Sequence, residues 1–248
     1  MSIIACYHIK GGVGKTAATV NLSYLAAQES TKTLLIDIDP QGSASYYFRV
    51  RSSQKLTTKA LLTGDNKIDK HIKATDYENL DILPSNLSYR KLDLRLNNLR
   101  KSKKRLQQIL HPFEEEYRII FIDSPPNITL VSENIFFAAD ILLVPIIPTT
   151  LSILTFEKLF QFFEDQNLDK SKMFAFFSMV ERRKKLHQEI MEKIYAEKKH
   201  RFLKSYIPYT VDIENMGIHR EPVLCYKPNS LASQSYRELW NELRTIIS

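Results

Sequence analysis

The chain has 248 residues, 44% apolar and 25% charged, an ordinary globular composition that excludes a disordered or fibrous polypeptide. Its formal net charge of +7 favours polyanionic partners, nucleic acid first and anionic membrane next. Two cysteines, Cys6 and Cys225, have no partners at metal-ligand spacing, so no zinc or iron–sulfur motif is present. No apolar run reaches the roughly 18 residues that span a bilayer, and no charged-then-apolar leader opens the chain. A cytoplasmic protein without a transmembrane segment is expected.

In chain order, Ser2 to His8 reads as a buried strand that stops at glycines. Lys15 to Gln28 follows as a helix, with Ala18, Leu22, Leu25 and Ala26 on its buried face. Thr33 to Asp39 (TLLIDID) has the branched, apolar make-up of a central parallel strand closed by acids and Pro40. Gly42 to Thr63 reads as a loop plus a short helix, and Leu80 to Leu83 as a short strand. Ser85 to Leu110 carries leucines near helical spacing, with Arg and Lys between them as a solvated face.

Tyr117 to Asp123 (YRIIFID) is a strand ending in the loop signature Ser124-Pro125-Pro126-Asn127. Strands are expected again at Asp140 to Pro148, Lys172 to Val180 and Leu203 to Ile207. Helices are expected at Leu151 to Phe163, Arg182 to Phe202 and Ser230 to Ile247. Strands alternating with helices predict one α/β domain over residues 1–248, with a doubly wound, mainly parallel sheet and helices on both faces. In such sheets ligands bind at the carboxyl ends of the strands.

Three of the six glycines fall within Lys10-Gly11-Gly12-Val13-Gly14-Lys15-Thr16. A strand running into glycines and then into Lys-Thr at a helix start is a phosphate cradle. Lys10 to Ala17 is therefore the expected nucleotide loop, with Lys15 on the phosphates and Thr16 as a Mg²⁺ ligand. The usual first glycine is replaced by Ile9, and Lys10 is an additional lysine. Asp123, closing a buried strand, has the place of a Walker B carboxylate that holds Mg²⁺ through water. Asp37 and Asp39 are two residues apart and so expected on one side of their strand. Asp39, nearer the strand end, is the better candidate to position water at the γ-phosphate, with Asp37 as a structural neighbour. The six histidines are read as incidental.

KGGVGKT, LLIDIDPQG and IIFIDSPP, in this order and spacing, resemble the ParA family of partitioning ATPases, the deviant Walker A group of P-loop NTPases that also includes MinD. The likeness continues in DILLVPIIPTTLSI, IPYTVDIENMG and Lys227-Pro228-Asn229-Ser230, and so covers nearly the whole chain. It implies that Lys10 crosses a face-to-face, ATP-dependent homodimer to the partner's phosphates, with Gly12 at that interface. It also implies that Asp39 is needed for hydrolysis, and that Gly42 to Ser45 and Ser124 to Thr129 sense the γ-phosphate. The adenine is expected near Ser178, Met179 and Ile207 to Thr210, including Pro208.

The implied partners are non-specific DNA and a ParB-like or cargo-adaptor protein whose basic N-terminal segment stimulates hydrolysis, giving a nucleoid-associated protein. The DNA residues expected from charge are Arg182, Arg183, Lys184 and Lys185 with Lys198, Lys199, Arg201 and Lys204. Two departures, Tyr209-Thr210-Val211-Asp212 after the IP motif and Thr155 at a position often small, weaken residue-level transfer. The alternative is a MinD-like membrane-surface ATPase, which would need Arg237 to Ile247 as a detachable amphipathic helix. Missing cysteine pairs argue against an iron–sulfur assembly relative, and the presence of Asp39 and Asp123 against an adaptor that binds nucleotide without hydrolysing it.

Overall fold

A computed structural model describes residues 1–63, 68–99, 102–197 and 201–247. The strands are β1 (Ser2–Cys6), β2 (Thr33–Asp37), β3 (Lys73–Ala74), β4 (Leu80–Leu83), β5 (Ile119–Asp123), β6 (Ile141–Ile146) and β7 (Met173–Phe177). They form one sheet in the order β3-β4-β2-β5-β1-β6-β7, parallel throughout except for the β3–β4 pair. The helices are α1 (Lys15–Gln28), α2 (Ser43–Tyr47), α3 (Thr58–Thr63), α4 (Leu92–Asn97), α5 (Arg105–Leu110) and α6 (Leu130–Ala138). They continue with α7 (Thr150–Asp165), α8 (Lys185–Glu197), α9 (Val211–Glu214), α10 (Met216–His219), α11 (Val223–Tyr226) and α12 (Leu231–Ile247).

Successive strand residues point to opposite faces, so the unbroken apolar runs of the central strands feed two cores at once. Ile3, Leu34 and Ile120 pack with Phe136 and Phe163 on one face. Ile4, Leu35 and Phe121 pack with Leu22, Leu239 and Trp240 on the other. Helix α12 thus spends its apolar side on the core: Tyr236, Leu239, Trp240 and Leu243 are all buried. Detaching it would expose side chains worth about 1.5–3 kcal/mol each, which disfavours a membrane-dipping tail.

Four expectations need correction. The helix expected from Ser85 to Leu110 is broken into a 3₁₀ turn (Leu87–Lys91), α4, a second 3₁₀ turn (Ser102–Lys104) and α5. Its leucines do not share one face: Leu92, Leu96 and Leu106 are buried, whereas Leu87 and Leu99 are exposed. The expected strand from Leu203 to Ile207 is only an extended edge segment. Leu203 and Ile207 donate to the β7 carbonyls of Ala175 and Phe177, both at 2.8 Å. Between them, the amides of Lys204 and Ser205 turn away to the Glu242 carboxylate (2.8 and 2.9 Å). Helix α6 follows the Ser124–Asn127 loop signature where no helix is expected, and Gly42 to Thr63 holds two short helices rather than one.

Strand order sets up the site. β5 lies between β1 and β2, with Asp123 paired in register to Cys6 on one side and Asp37 on the other. The loops leaving β1, β2 and β5 therefore emerge side by side at one edge of the sheet.

Candidate nucleotide site

Gly12 and Gly14 adopt left-handed backbone (φ 71° and 91°), which only glycine enters without strain, and Gly14 caps α1. A Cβ on Gly12 would meet no atom of this chain, whereas one on Gly14 would lie 2.7 Å from Ser178 Oγ. Lys15 is buried, and its ammonium donates to the Lys10 carbonyl (3.2 Å). The Lys10 side chain reaches the other way and donates to the Leu151 carbonyl (3.3 Å) in the first turn of α7. Val13 is buried beneath the loop, so only its backbone faces the cradle.

His8 is not incidental. It is buried, and its Nδ1 accepts the Lys10 amide (2.9 Å). Burial, then the Lys15 charge, hold its pKa down at about 4, against the favourable Lys10 hydrogen bond. A neutral imidazole thus pins the backbone of the extra lysine. Its place between strand and glycines was the available signal.

Asp123 is fully buried, and neither of its carboxylate oxygens has a hydrogen-bond partner among the described residues. Burial, then the Asp37 charge, raise its pKa, while the Thr16 hydroxyl and Lys15 pull the other way. A half-buried hydroxyl beside an undonated carboxylate is an oxygen donor set that suits a hydrated divalent cation.

The two acids of TLLIDID differ more than their spacing suggests. β2 ends at Asp37, so strand alternation does not extend to Asp39. Asp37 is sealed in and accepts the Ser45 amide (2.8 Å) and hydroxyl (2.6 Å). Asp39 sits in the following turn, half-buried, with Oδ1 accepting the Gln41 amide (2.9 Å). Ser85 ties the two, since its amide donates to Ser45 Oγ (2.9 Å) and its hydroxyl to the Asp39 carbonyl (2.5 Å).

Burial raises the Asp37 pKa to about 7. An acid whose folded-state pKa is raised holds its proton better folded than unfolded, so it stabilises at low pH. That contribution fades as pH climbs from the ordinary carboxylate value through about 7. Asp37→Asn keeps an acceptor for Ser45 without the buried charge. Its melting temperature is expected to gain on wild type as pH rises from 5 to 8 in nucleotide-free thermal melts. A difference that stays flat with pH would contradict this.

The loop after β5 is fastened to β1. Ser124 Oγ donates to the Cys6 carbonyl (2.5 Å), the Asn127 amide to the Ile9 carbonyl (3.0 Å), and Tyr7 Oη to the Asn127 carbonyl (2.8 Å).

A cleft of about 450 Å³ opens over these loops. Gly11, Gly12, Gly14, Lys15, Thr16, Ala17 and Asp39 line it, together with Ser178, Met179, Ile207 and Pro208. Met179 itself is left-handed (φ 55°), turning the chain at the end of β7. Tyr47, Ile213, Glu214 and Tyr236 also line the cleft, and nothing in the sequence singles them out. They lie on α2, α9 and α12, and only tertiary packing brings them here.

The basic residues expected to bind DNA lie on either side of a helix, and several are already engaged within the chain. Arg182, Arg183, Lys184 and Lys185 lie before or at the start of α8, and Arg201 and Lys204 follow it. Between them runs the thirteen-residue helix, and the chain after it turns back along it, with the Lys204 carbonyl accepting from Tyr195 Oη (3.3 Å). Lys184 pairs with Glu181, Lys185 lies 3.5 Å from Glu189, and Arg201 donates to the Ser171 carbonyl (2.9 Å) beside the Phe174 ring. Arg182 and Arg183 remain exposed. Lys198 and Lys199 lie outside the described residues.

Comparison with known proteins bears on this geometry. The AAA domain family matches residues 1–175. The chain is 28% identical to the sporulation initiation inhibitor protein Soj of Bacillus subtilis (strain 168), over 97% of each chain. It is 30% identical to a virulence plasmid ParA family protein of Chlamydia psittaci, over 98% of this chain and 94% of the relative. The chain belongs to the ParA family of partitioning ATPases.

As a ParA family member it has the expected P-loop fold. A plasmid partition protein of Borrelia burgdorferi B31 bound to AMPPNP superposes with a TM-score of 0.86 at 23% identity, covering 99% of each chain. Among the described residues, no helix is long and apolar enough to cross a membrane.

Proposed function

We propose that this ParA family protein is a Mg²⁺-dependent ATPase, slow on its own. Its ATP-bound form is a face-to-face homodimer that holds DNA without sequence preference. A ParB-like or adaptor protein stimulates hydrolysis, and the cycle segregates or positions DNA or another cargo in the cytoplasm, on the nucleoid. The observation that carries this reading is that the phosphate cradle and Asp39 line one cleft, with the undonated Asp123 buried at the end of the strand between theirs.

In this reading the loop amides, the α1 N-terminus and Lys15 hold the phosphates, with Met179 and Pro208 beside the base. Thr16 and, through water, Asp123 hold Mg²⁺, which neutralises charge on the phosphates. Asp39 accepts a hydrogen bond from the attacking water and aligns it with the γ-phosphorus, whose bond to the bridging oxygen breaks. Lys10 exchanges the Leu151 carbonyl for phosphates bound by the second subunit. Residues 1–248 act as one domain.

The test is retention of duplex DNA with ATP and with ADP across a salt series. Retention is expected only with ATP, falling steeply with salt. Arg182→Ala/Arg183→Ala should weaken retention and reduce the salt slope by about one for each phosphate left without its arginine. Arg201→Ala, whose guanidinium is already engaged, should change little. Retention equal in ADP and ATP, or indifferent to salt, would refute the switch.

A further inference from the structure

A second surface, away from the cleft, carries the features of a docking groove. Two adjoining hollows of about 460 and 440 Å³ share Lys59 and Arg95. They run between α3 and the Leu87–Lys91 turn leading into α4. Lys59, Arg90, Lys91 and Arg95 are all exposed, and none has a carboxylate partner among the described residues. This contrasts with α8 and the turn before it, where Lys184, Lys185 and Lys193 each face a glutamate.

The hollows are lined by Leu87 and Leu99, 66% and 38% exposed. Leu87, Arg90 and Lys91 lie in one 3₁₀ turn and line the same hollow, which sets an apolar side chain beside two cations. Exposed leucine costs free energy unless something covers it, and unpaired cations beside it call for carboxylates. Duplex DNA would satisfy the charges but not the leucines or a hollow of side-chain width.

The groove is also wired to the site. Thr58 donates its amide to Ser88 Oγ (2.9 Å) and its hydroxyl to the Ser88 carbonyl. Three residues earlier, Ser85 holds the Asp39 carbonyl and Ser45. The Leu87–Lys91 turn and the turn that carries Asp39 are thus joined by a short stretch of chain through Ser85.

We propose that this groove docks an acidic, amphipathic segment of a partner protein, and that its occupancy is read by Asp39 through Ser85. The docking stands by itself, and only the effect on turnover rests on the ATPase reading.

The probe is a fluorescein-labelled peptide of glutamate and leucine with leucines at helical spacing, titrated into the full chain and followed by anisotropy. Saturable binding is expected, weakened about tenfold or more by Arg90→Glu/Arg95→Glu (about 1.4 kcal/mol) and unchanged by Arg182→Glu/Arg183→Glu. A polyglutamate of equal length should bind more weakly, because it leaves Leu87 and Leu99 uncovered. The Glu/Leu peptide should alter ATP turnover of wild type and not of Arg90→Glu/Arg95→Glu. Equal binding by all three proteins overturns the proposal, as does loss of duplex-DNA retention, rather than peptide binding, in the Arg90/Arg95 variant. Peptide bound with turnover unchanged overturns the link to Asp39. A chain with no turnover at all refutes the ATPase reading and leaves the anisotropy result standing.

Discussion

Asp39→Ala is expected to lower ATP turnover by about 100-fold or more, roughly 2.7 kcal/mol of barrier, while nucleotide affinity stays within a few-fold. The expectation rests on position. Asp39, in the turn after β2, is the acid of TLLIDID that opens to the cleft, whereas Asp37 is sealed against Ser45. Lys15 and the cradle, which would carry affinity, do not depend on it. Alanine also removes the acceptor of the Gln41 amide, so Asp39→Asn is the needed companion. If orientation of water by a charged carboxylate is the function, Asn keeps the turn and still fails to hydrolyse. Single-turnover phosphate release with parallel nucleotide titration separates the cases, and an alanine variant with normal turnover would remove Asp39 from the mechanism.

Gly12→Val is expected to leave a chain that binds ATP but stays monomeric. Within the chain its cost is conformational, because φ is 71° and a Cβ there touches nothing. Such strain is worth about 1–2 kcal/mol, visible as a lower melting temperature in the nucleotide-free protein. Any effect on mass beyond that comes from a surface outside this chain, which is where the dimer would place a second copy. Sedimentation with ATP and Mg²⁺ reads the answer directly. A variant that dimerises like wild type would refute the placement of Gly12 at the interface. Gly14→Val is unsuitable for this test, because its Cβ collides with Ser178 inside the same molecule.

The sheet was legible in the sequence because central parallel strands are buried on both faces and therefore read as continuous apolar runs. TLLIDID and YRIIFID needed no further context, and the glycine loop named its own chemistry. Legibility failed where tertiary partners decide the structure. Leu203 to Ile207 has the composition of a strand, but Glu242, almost forty residues away, diverts its middle amides. The leucines between Ser85 and Leu110 suggest one helix because spacing alone does not say which of them find a core. Helix α6 is hidden by the prolines ahead of it, and its Thr129–Ser132 capping pair is the signal that marks its start. At the site, strand alternation puts Asp37 and Asp39 together on paper but stops at Asp37 in the fold.

The chain has a single tryptophan, Trp240, and it lies one helical turn from Tyr236 at the cleft wall. Its indole is buried near the Phe121 ring (6.3 Å between centroids), and its N–H has no partner among the described residues. An apolar, unpaired indole emits at short wavelength, so the protein carries its own fluorophore on the helix that closes the nucleotide cleft. Loosening of α12, which carries Tyr236 to the cleft, would thereby be an optical event, followed without a label.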